Sequence, residues 1–337
     1  MNVWGNILIA ILTILMIMSC DIFHEDWVIE YAYLCTIDTT GQNFQYLMKA
    51  EDFSLYVVPP DNSKILIFKS DALYSADLDG SNYHLYSQCP DSIKFGINLS
   101  WAETPEGFRI IWCYADDIFA YDYNNDEFTQ VTDTPDIEER YCCFSNDGIH
   151  ITYCSWIRPD TVHVNPWIDS SINMMSYDYS VKTCIIEEQA NDMYYAIPIL
   201  SNNKILYYVS GSDSIRGIYS INLDGLNNTN LYNDIITILQ KFIAIEEENS
   251  IIFTDSYNLY KLNYENGDLM ELAPGEKPRL SGNKTHIAYY YGLLEIMDTG
   301  GSDHRVLKDG YMTTIYQPPV FYQNDSKLLF LILRKMN

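Results

Sequence analysis

Apolar residues along this chain fall in short β-branched and aromatic runs, as in Ile65-Leu66-Ile67-Phe68 and Ile251-Ile252-Phe253, set apart by Gly, Asn and Asp. Runs of that length bounded by turn formers predict strands. Two pairings recur seven times in strict alternation. An Ile, Leu or Met is followed four residues later by Asp or Asn at Leu34/Asp38, Leu73/Asp77, Ile118/Asp122, Met174/Asp178, Ile218/Asn222, Leu259/Asn263 and Leu294/Asp298. An Ile or Leu is followed two residues later by an aromatic at Leu66/Phe68, Ile110/Trp112, Ile151/Tyr153, Leu206/Tyr208, Ile251/Phe253, Ile287/Tyr289 and Leu328/Phe330. Copies lie 35 to 56 residues apart, the period of a repeat architecture. Between them stand the turns 77–80, 145–148, 222–225, 265–267 and 299–301, whose Gly and Asn tolerate the positive φ of tight hairpins. Four short strands per ~40 residues is the content of a propeller blade.

Residues i and i+2 of a strand share a face, so each aromatic pair is expected to press against a neighbouring blade. The first recognisable piece, Tyr31 to Met48, is the second half of a unit; the last, Pro319 to Leu333, is a first half. Together they predict an all-β, seven-bladed ring closed by strands from both chain ends. An open solenoid or a sandwich is the alternative, and neither accounts for complementary ends. The expected boundaries are a signal segment at 1–19, a short tether at 20–27 and the propeller at 28–337.

Ser145 to Gly148 followed by Ile151 to Tyr153, and Leu73 running into Asp77 to Gly80, resemble the degenerate TolB-type, WD-like propeller repeat. Pro60 to Phe68, Ser201 to Tyr208, Ser281 to Tyr289 and Asn324 to Phe330 are weaker copies, so the resemblance covers about Val28 to Leu333. It implies the fold and leaves the activity open, since such propellers serve as scaffolds, peptide binders, lyases and hydrolase accessory domains. TolB-type proteins carry an α/β domain before the propeller. Here the repeats begin within about ten residues of Cys20, so a role in the Tol system is not carried over.

The N-terminus adds a location. Ile7 to Met18 is apolar except for Thr13, short for a membrane span and right for a signal-peptide core. Ile-Met-Ser-Cys at 17–20 resembles a bacterial lipoprotein signal, implying lipidation of Cys20, although no Lys or Arg precedes the core. The alternative is an uncleaved anchor; both readings put the propeller in the cell envelope, on a periplasmic or surface face. Seven further cysteines lack zinc spacing. Strand cysteines such as Cys35, Cys113 and Cys154 are expected to be buried thiols, with Cys142 or Cys143 a candidate disulfide end.

Charge narrows the partners. Twenty Lys and Arg against 46 Asp and Glu give −26, which argues against nucleic acid and against adsorption to anionic lipid. Surface acids provide solubility alone, or a focused negative face built from inter-blade links at Glu51, Asp52, Asp133 to Glu139, Asp234, Glu276 and Asp309. Catalytic motifs (GxSxG, HExxH, the P-loop, GxGxxG) are absent. Asp122-x-Asn124-x-Asp126 resembles the start of a calcium loop but lacks its Gly and Glu, and reads better as a hairpin turn. No catalytic residue, metal or cofactor is expected, and the chain is read as a monomer.

One irregularity stands out: Tyr153 to Asp178 spans 25 residues where other units use 9 to 14. The excess, about Trp156 to Ser171, projects from a rigid scaffold, where recognition commonly sits. Trp156 and Trp167 offer stacking surface and Arg158 and His163 polar contacts, joined by Arg216 from a short connection on the same face. The competing reading is a loop that folds back and buries both Trp residues. The expectation is a non-enzymatic, lipid-anchored envelope propeller binding a protein, peptide or glycan. The alternative is a glycan-active, lyase-like enzyme using Arg158, His163 and Arg216 at the channel mouth.

Overall fold

A computed structural model describes residues 29–50, 55–69, 71–90, 94–96, 99–157, 169–189, 192–210, 216–233, 242–255, 257–308 and 318–335. The expected signal segment, Cys20 and the expected tether lie outside the described residues, as do Arg158, His163 and Trp167. The described chain forms seven four-stranded antiparallel sheets, the blades of a β-propeller. Strands are lettered A to D from the ring axis outward. Blade 1 comprises Leu55–Val57, Ile65–Lys69, Ala72–Ala76 and His84–Gln88; blade 2, Ser100–Thr104, Gly107–Tyr114, Asp117–Asp122 and Glu127–Gln130. Blade 3 comprises Ile137–Phe144, His150–Ile157, Asp169–Ser176 and Lys182–Gln189; blade 4, Asp192–Ile199, Lys204–Ser210, Gly217–Asn222 and Thr229–Tyr232. Blade 5 comprises Ile243–Ile245, Ser250–Asp255, Asn258–Asn263 and Leu269–Pro274; blade 6, Glu276–Leu280, His286–Tyr290, Leu294–Asp298 and Arg305–Lys308.

Blade 7 is composite. Its strands A and B, Val320–Tyr322 and Lys327–Lys335, come from the end of the chain, and C and D, Ile29–Asp38 and Gln45–Ala50, from its beginning. The two halves zip together antiparallel from Ile29 opposite Lys335 to Asp38 opposite Lys327. This is the latch that the complementary sequence halves predict.

Seven buried apolar clusters close the ring, one at each junction between successive blades. Phe68 and Trp112 meet between blades 1 and 2, and Ile111 and Tyr153 between 2 and 3. Cys154 and Tyr207 share the next junction, Tyr208 and Phe253 the one after, and Ile252 and Tyr289 that between 5 and 6. Tyr290 and Phe330 join blades 6 and 7; Leu329 and Ile67 join 7 to 1. An isolated blade would leave two such faces wet, so burial and closure are one event.

Each aromatic pair packs against a neighbouring blade, as expected, but the neighbour is not always the same one. Ile110/Trp112, Ile151/Tyr153, Ile251/Phe253, Ile287/Tyr289 and Leu328/Phe330 face the preceding blade, whereas Leu66/Phe68 and Leu206/Tyr208 face the following one. The equivalents in blades 1 and 4 are Ile65/Ile67 and Ile205/Tyr207. With a side-chain period of two, an error of one residue moves a pair to the opposite face.

Turn chemistry explains the Asp/Asn column. Asp298 accepts hydrogen bonds from the backbone N–H of Gly300 (3.0 Å) and Ser302 (2.7 Å), and Asn263 from those of Glu265 (3.0 Å) and Asn266 (3.1 Å). Asp122 does the same for Asn124 (3.0 Å) and Asn125 (3.1 Å) while receiving Arg109 Nε, so the calcium-like stretch is an ordinary C–D turn. The Ser-x-Asp-Gly turn is likewise self-bonded: Ser145 Oγ donates to Asp147 (2.6 Å) and accepts from the N–H of His150 (3.0 Å). Two 3₁₀ turns, Leu200–Asn202 and Glu246–Glu248, replace it in blades 4 and 5, each followed by a left-handed Asn.

Candidate functional site

D–A and B–C connections emerge on one face of the ring, A–B and C–D turns on the other. The first face carries Ile157 and Asp169, which flank residues 158–168, and Arg216. The A strands, hydrogen-bonded on one side only, line the central channel, and three of them are bulged. Register slips occur between Arg140 and Cys143, between Tyr194 and Ile197, and between Glu276 and Arg279. Each bulge holds a non-glycine residue in left-handed backbone: Tyr141 at φ 58°, Tyr195 at 53° and Lys277 at 53°. Holding such residues there costs about 1–3 kcal/mol each, and strain of this kind gathers at functional sites. Partner positions put the three at one level, because Cys154, Tyr208 and Tyr290, opposite Arg140, Tyr194 and Glu276, are equivalent strand-B residues.

The bulged tyrosines meet, with ring centroids 4.5 Å apart, and Tyr141 packs edge-on against Trp156 at 5.9 Å. Trp156 is only 4% exposed, within the cluster joining blades 3 and 4. This corrects the expectation that it presents stacking surface: it sits opposite Glu138 in a paired strand, and the interface takes its ring. Arg216 lies near Tyr208, where its charge opposes the upward push of burial on the tyrosine hydroxyl. Their proposed companions Arg158, His163 and Trp167 lie outside the described residues.

Deeper in the channel, Arg279 of blade 6 reaches across to blade 2, where its guanidinium lies 4.3 Å from the centroid of a Trp101 ring. Blades 2 and 6 are as nearly opposite as seven blades allow. Burial holds Arg279 down at about 10, and the ionisable groups acting on it are the Cys143 thiol and Tyr56 hydroxyl. Burial also pushes Tyr56 and Tyr290 upward, so both are neutral phenols at physiological pH. Among the described residues no carboxylate pairs with Arg279. Lys277, two residues before it, is also lowered by burial, with Glu276 opposing. Pro278 between them is tolerated because an A strand needs no N–H on its channel side.

Two acids of the proposed negative face are not surface groups. Glu138 and Glu139 are each 3% exposed, because strand A of blade 3 starts at Ile137 and takes them into the sheet. Glu138 is ion-paired with Arg140. Burial pushes the Glu139 carboxyl above its ordinary value, opposed by Thr132, Thr134 and Lys182. Glu51, Asp52, Asp234 and Asp309 lie outside the described residues. His84, His150, His286 and His304 all stand at A–B or C–D turns, away from the first face. Among the described residues no group of three His, Cys, Asp or Glu is placed to hold a metal ion.

Sequence reading missed Trp101, Arg279 and the bulges. One signal was present: Glu276-Lys277-Pro278-Arg279 puts cations where other A strands read Leu55-Tyr56-Val57, Ile243-Ala244-Ile245 and Val320-Phe321-Tyr322.

No family model matches the chain, and no curated protein matches it. Solved structures do. An oligogalacturonate lyase in complex with manganese is similar over 90% of this chain and 90% of its own, at 11% identity and a TM-score of 0.63. Oligogalacturonate lyase from Vibrio parahaemolyticus is similar over 87% of this chain and 82% of its own, at 11% identity and a TM-score of 0.58. TolB from Acinetobacter baumannii is similar over 74% of this chain and 61% of its own, at 17% identity and a TM-score of 0.49. At these identities the likeness is one of fold: the chain is a seven-bladed β-propeller.

Proposed function

We propose that this chain is a non-enzymatic, lipid-anchored propeller of the bacterial cell envelope that binds a protein, peptide or glycan on the face carrying the 158–168 connection. The observation that supports this reading is the row of strained inner-strand residues, Tyr141, Tyr195 and Lys277, in the channel below that face. Rigid rings with aromatic hydroxyls and one cation suit recognition. Arg158, His163, Trp167 and Arg216 are the proposed contacts above them, and Cys20 the lipid attachment. With the buried Trp156 removed from the set, Trp167 is left as the stacking candidate.

Glycan and peptide arrays probed with wild type and with an Arg158→Ala/Trp167→Ala variant test the site. Retention lost in the variant is expected; equal retention removes the connection as a binding site. The alternative, a glycan-active lyase-like enzyme, is tested by incubating the protein with oligogalacturonate. Appearance of an unsaturated product would replace the binding reading. Membrane fractionation tests the anchor, since Cys20→Ala is expected to release the protein and an unchanged membrane fraction would refute lipidation.

A further inference from the structure

We propose that Arg279 is a receptor for a single carboxylate group entering the central channel. A guanidinium carries five N–H donors in one plane and always bears charge. Here the guanidinium carbon lies 4.3 Å from the centroid of a Trp101 ring, a cation–π contact that uses none of the N–H donors. Among the described residues none engages those donors by a hydrogen bond or ion pair. The residue is partly exposed and stands on a strand that lines the channel.

The electrostatic setting sharpens the argument. This protein carries 46 acidic side chains against 20 basic ones, yet among the described residues no acid acts on Arg279. A guanidinium held beside Tyr56, Cys143 and Trp101 has lost much of its hydration without gaining a counter-charge among the described residues, an arrangement that destabilises the empty ring. A ligand carboxylate supplies both the missing charge and two acceptors in the fork's own plane, a bidentate match. A tetrahedral dianion also fits the fork, but it brings a second negative charge into a strongly acidic molecule, so charge favours the carboxylate. The inference stands whether or not the 158–168 connection binds a partner.

The test is an NMR titration of the full chain with acetate, at constant ionic strength, reading the Arg279 Nε–H and Trp101 indole N–H signals. Both signals in wild type are expected to move and saturate. In R279Q the indole response should need at least about tenfold more acetate. Inorganic phosphate at the same ionic strength should give a response at least severalfold weaker. If R279Q does not fold, R279K, which keeps charge and stem without the fork, is expected to bind acetate severalfold more weakly. The proposal is overturned by a non-saturating response in wild type, by equal saturation in the folded variant, or by phosphate matching acetate.

Discussion

Phe330 is the side chain on which closure can be weighed. It lies in strand B of blade 7, opposite Cys35 from the other end of the chain, and is 0% exposed. Its ring packs with Ala288, Tyr290, Leu294 and Ile296 of blade 6, so it serves the latch and a blade junction at once. Phe330→Ala removes that ring from a site with little room to collapse, at about 3–5 kcal/mol. Total stability of a domain is about 5–15 kcal/mol, so the loss is a large fraction. An unfolding entropy of about 2.1 cal/mol/K per residue over roughly 300 residues gives about 0.6 kcal/mol/K, and a 4 kcal/mol loss lowers Tm by about 6 °C. Val306→Ala, at a position 53% exposed on the outer strand of blade 6, is the control and should shift Tm by under about 1 °C. Differential scanning calorimetry reads both. A Phe330→Ala protein melting within about 1 °C of wild type would refute closure through this contact. So would an early transition of one blade with the remainder melting unchanged, because a closed ring should unfold as one unit.

Gly148→Ala places a Cβ 2.0 Å from the Glu103 carbonyl oxygen at a φ of +69°, and should cost about 2 kcal/mol or more by chemical denaturation; an unchanged midpoint would contradict the contact. Cys113 and Cys142 have sulfurs 3.2 Å apart across blades 2 and 3, so mild oxidation should join them, seen by mass spectrometry as a linked peptide absent from Cys142→Ser. Both thiols alkylating fully after oxidation would count against it. Burial holds Glu139 above its ordinary value near 4.5, so the unfolded chain gives up this proton more readily and stability falls as pH rises from that value toward the raised one. Glu139→Gln should therefore melt above wild type at pH 7 and level with it at pH 3; a variant that melts lower at pH 7 would reverse the sign.

The latch and the count of blades were legible because they rest on order along the chain: Tyr31 to Met48 and Pro319 to Leu333 are halves of one unit wherever they land. Phase was less so. Ile65 to Phe68 and Ile205 to Val209 are apolar on both faces, so alternation cannot say which side of the strand meets which neighbour. In blade 3, His150 pairs with Ser176, leaving Asp178 two residues past the column its equivalents occupy, an irregularity of the turn and not of the strand. Glu138 and Glu139 read as link residues because charge suggests surface, and only the length of their strand buries them. The Arg279 to Trp101 contact joins opposite sides of the ring, and no local pattern encodes a distance across a hole.

The antiparallel register of blade 7 also fixes where the polypeptide enters and leaves. Ile29 and Lys335 are cross-strand neighbours at the rim of the face bearing the 158–168 connection. An acyl chain on Cys20, nine residues before Ile29, would hang the disc from that rim on a leash of at most about 30 Å. On that leash the face bearing both chain ends would stay within reach of the bilayer, so ligands lying close to the lipid surface would be accessible to the channel mouth.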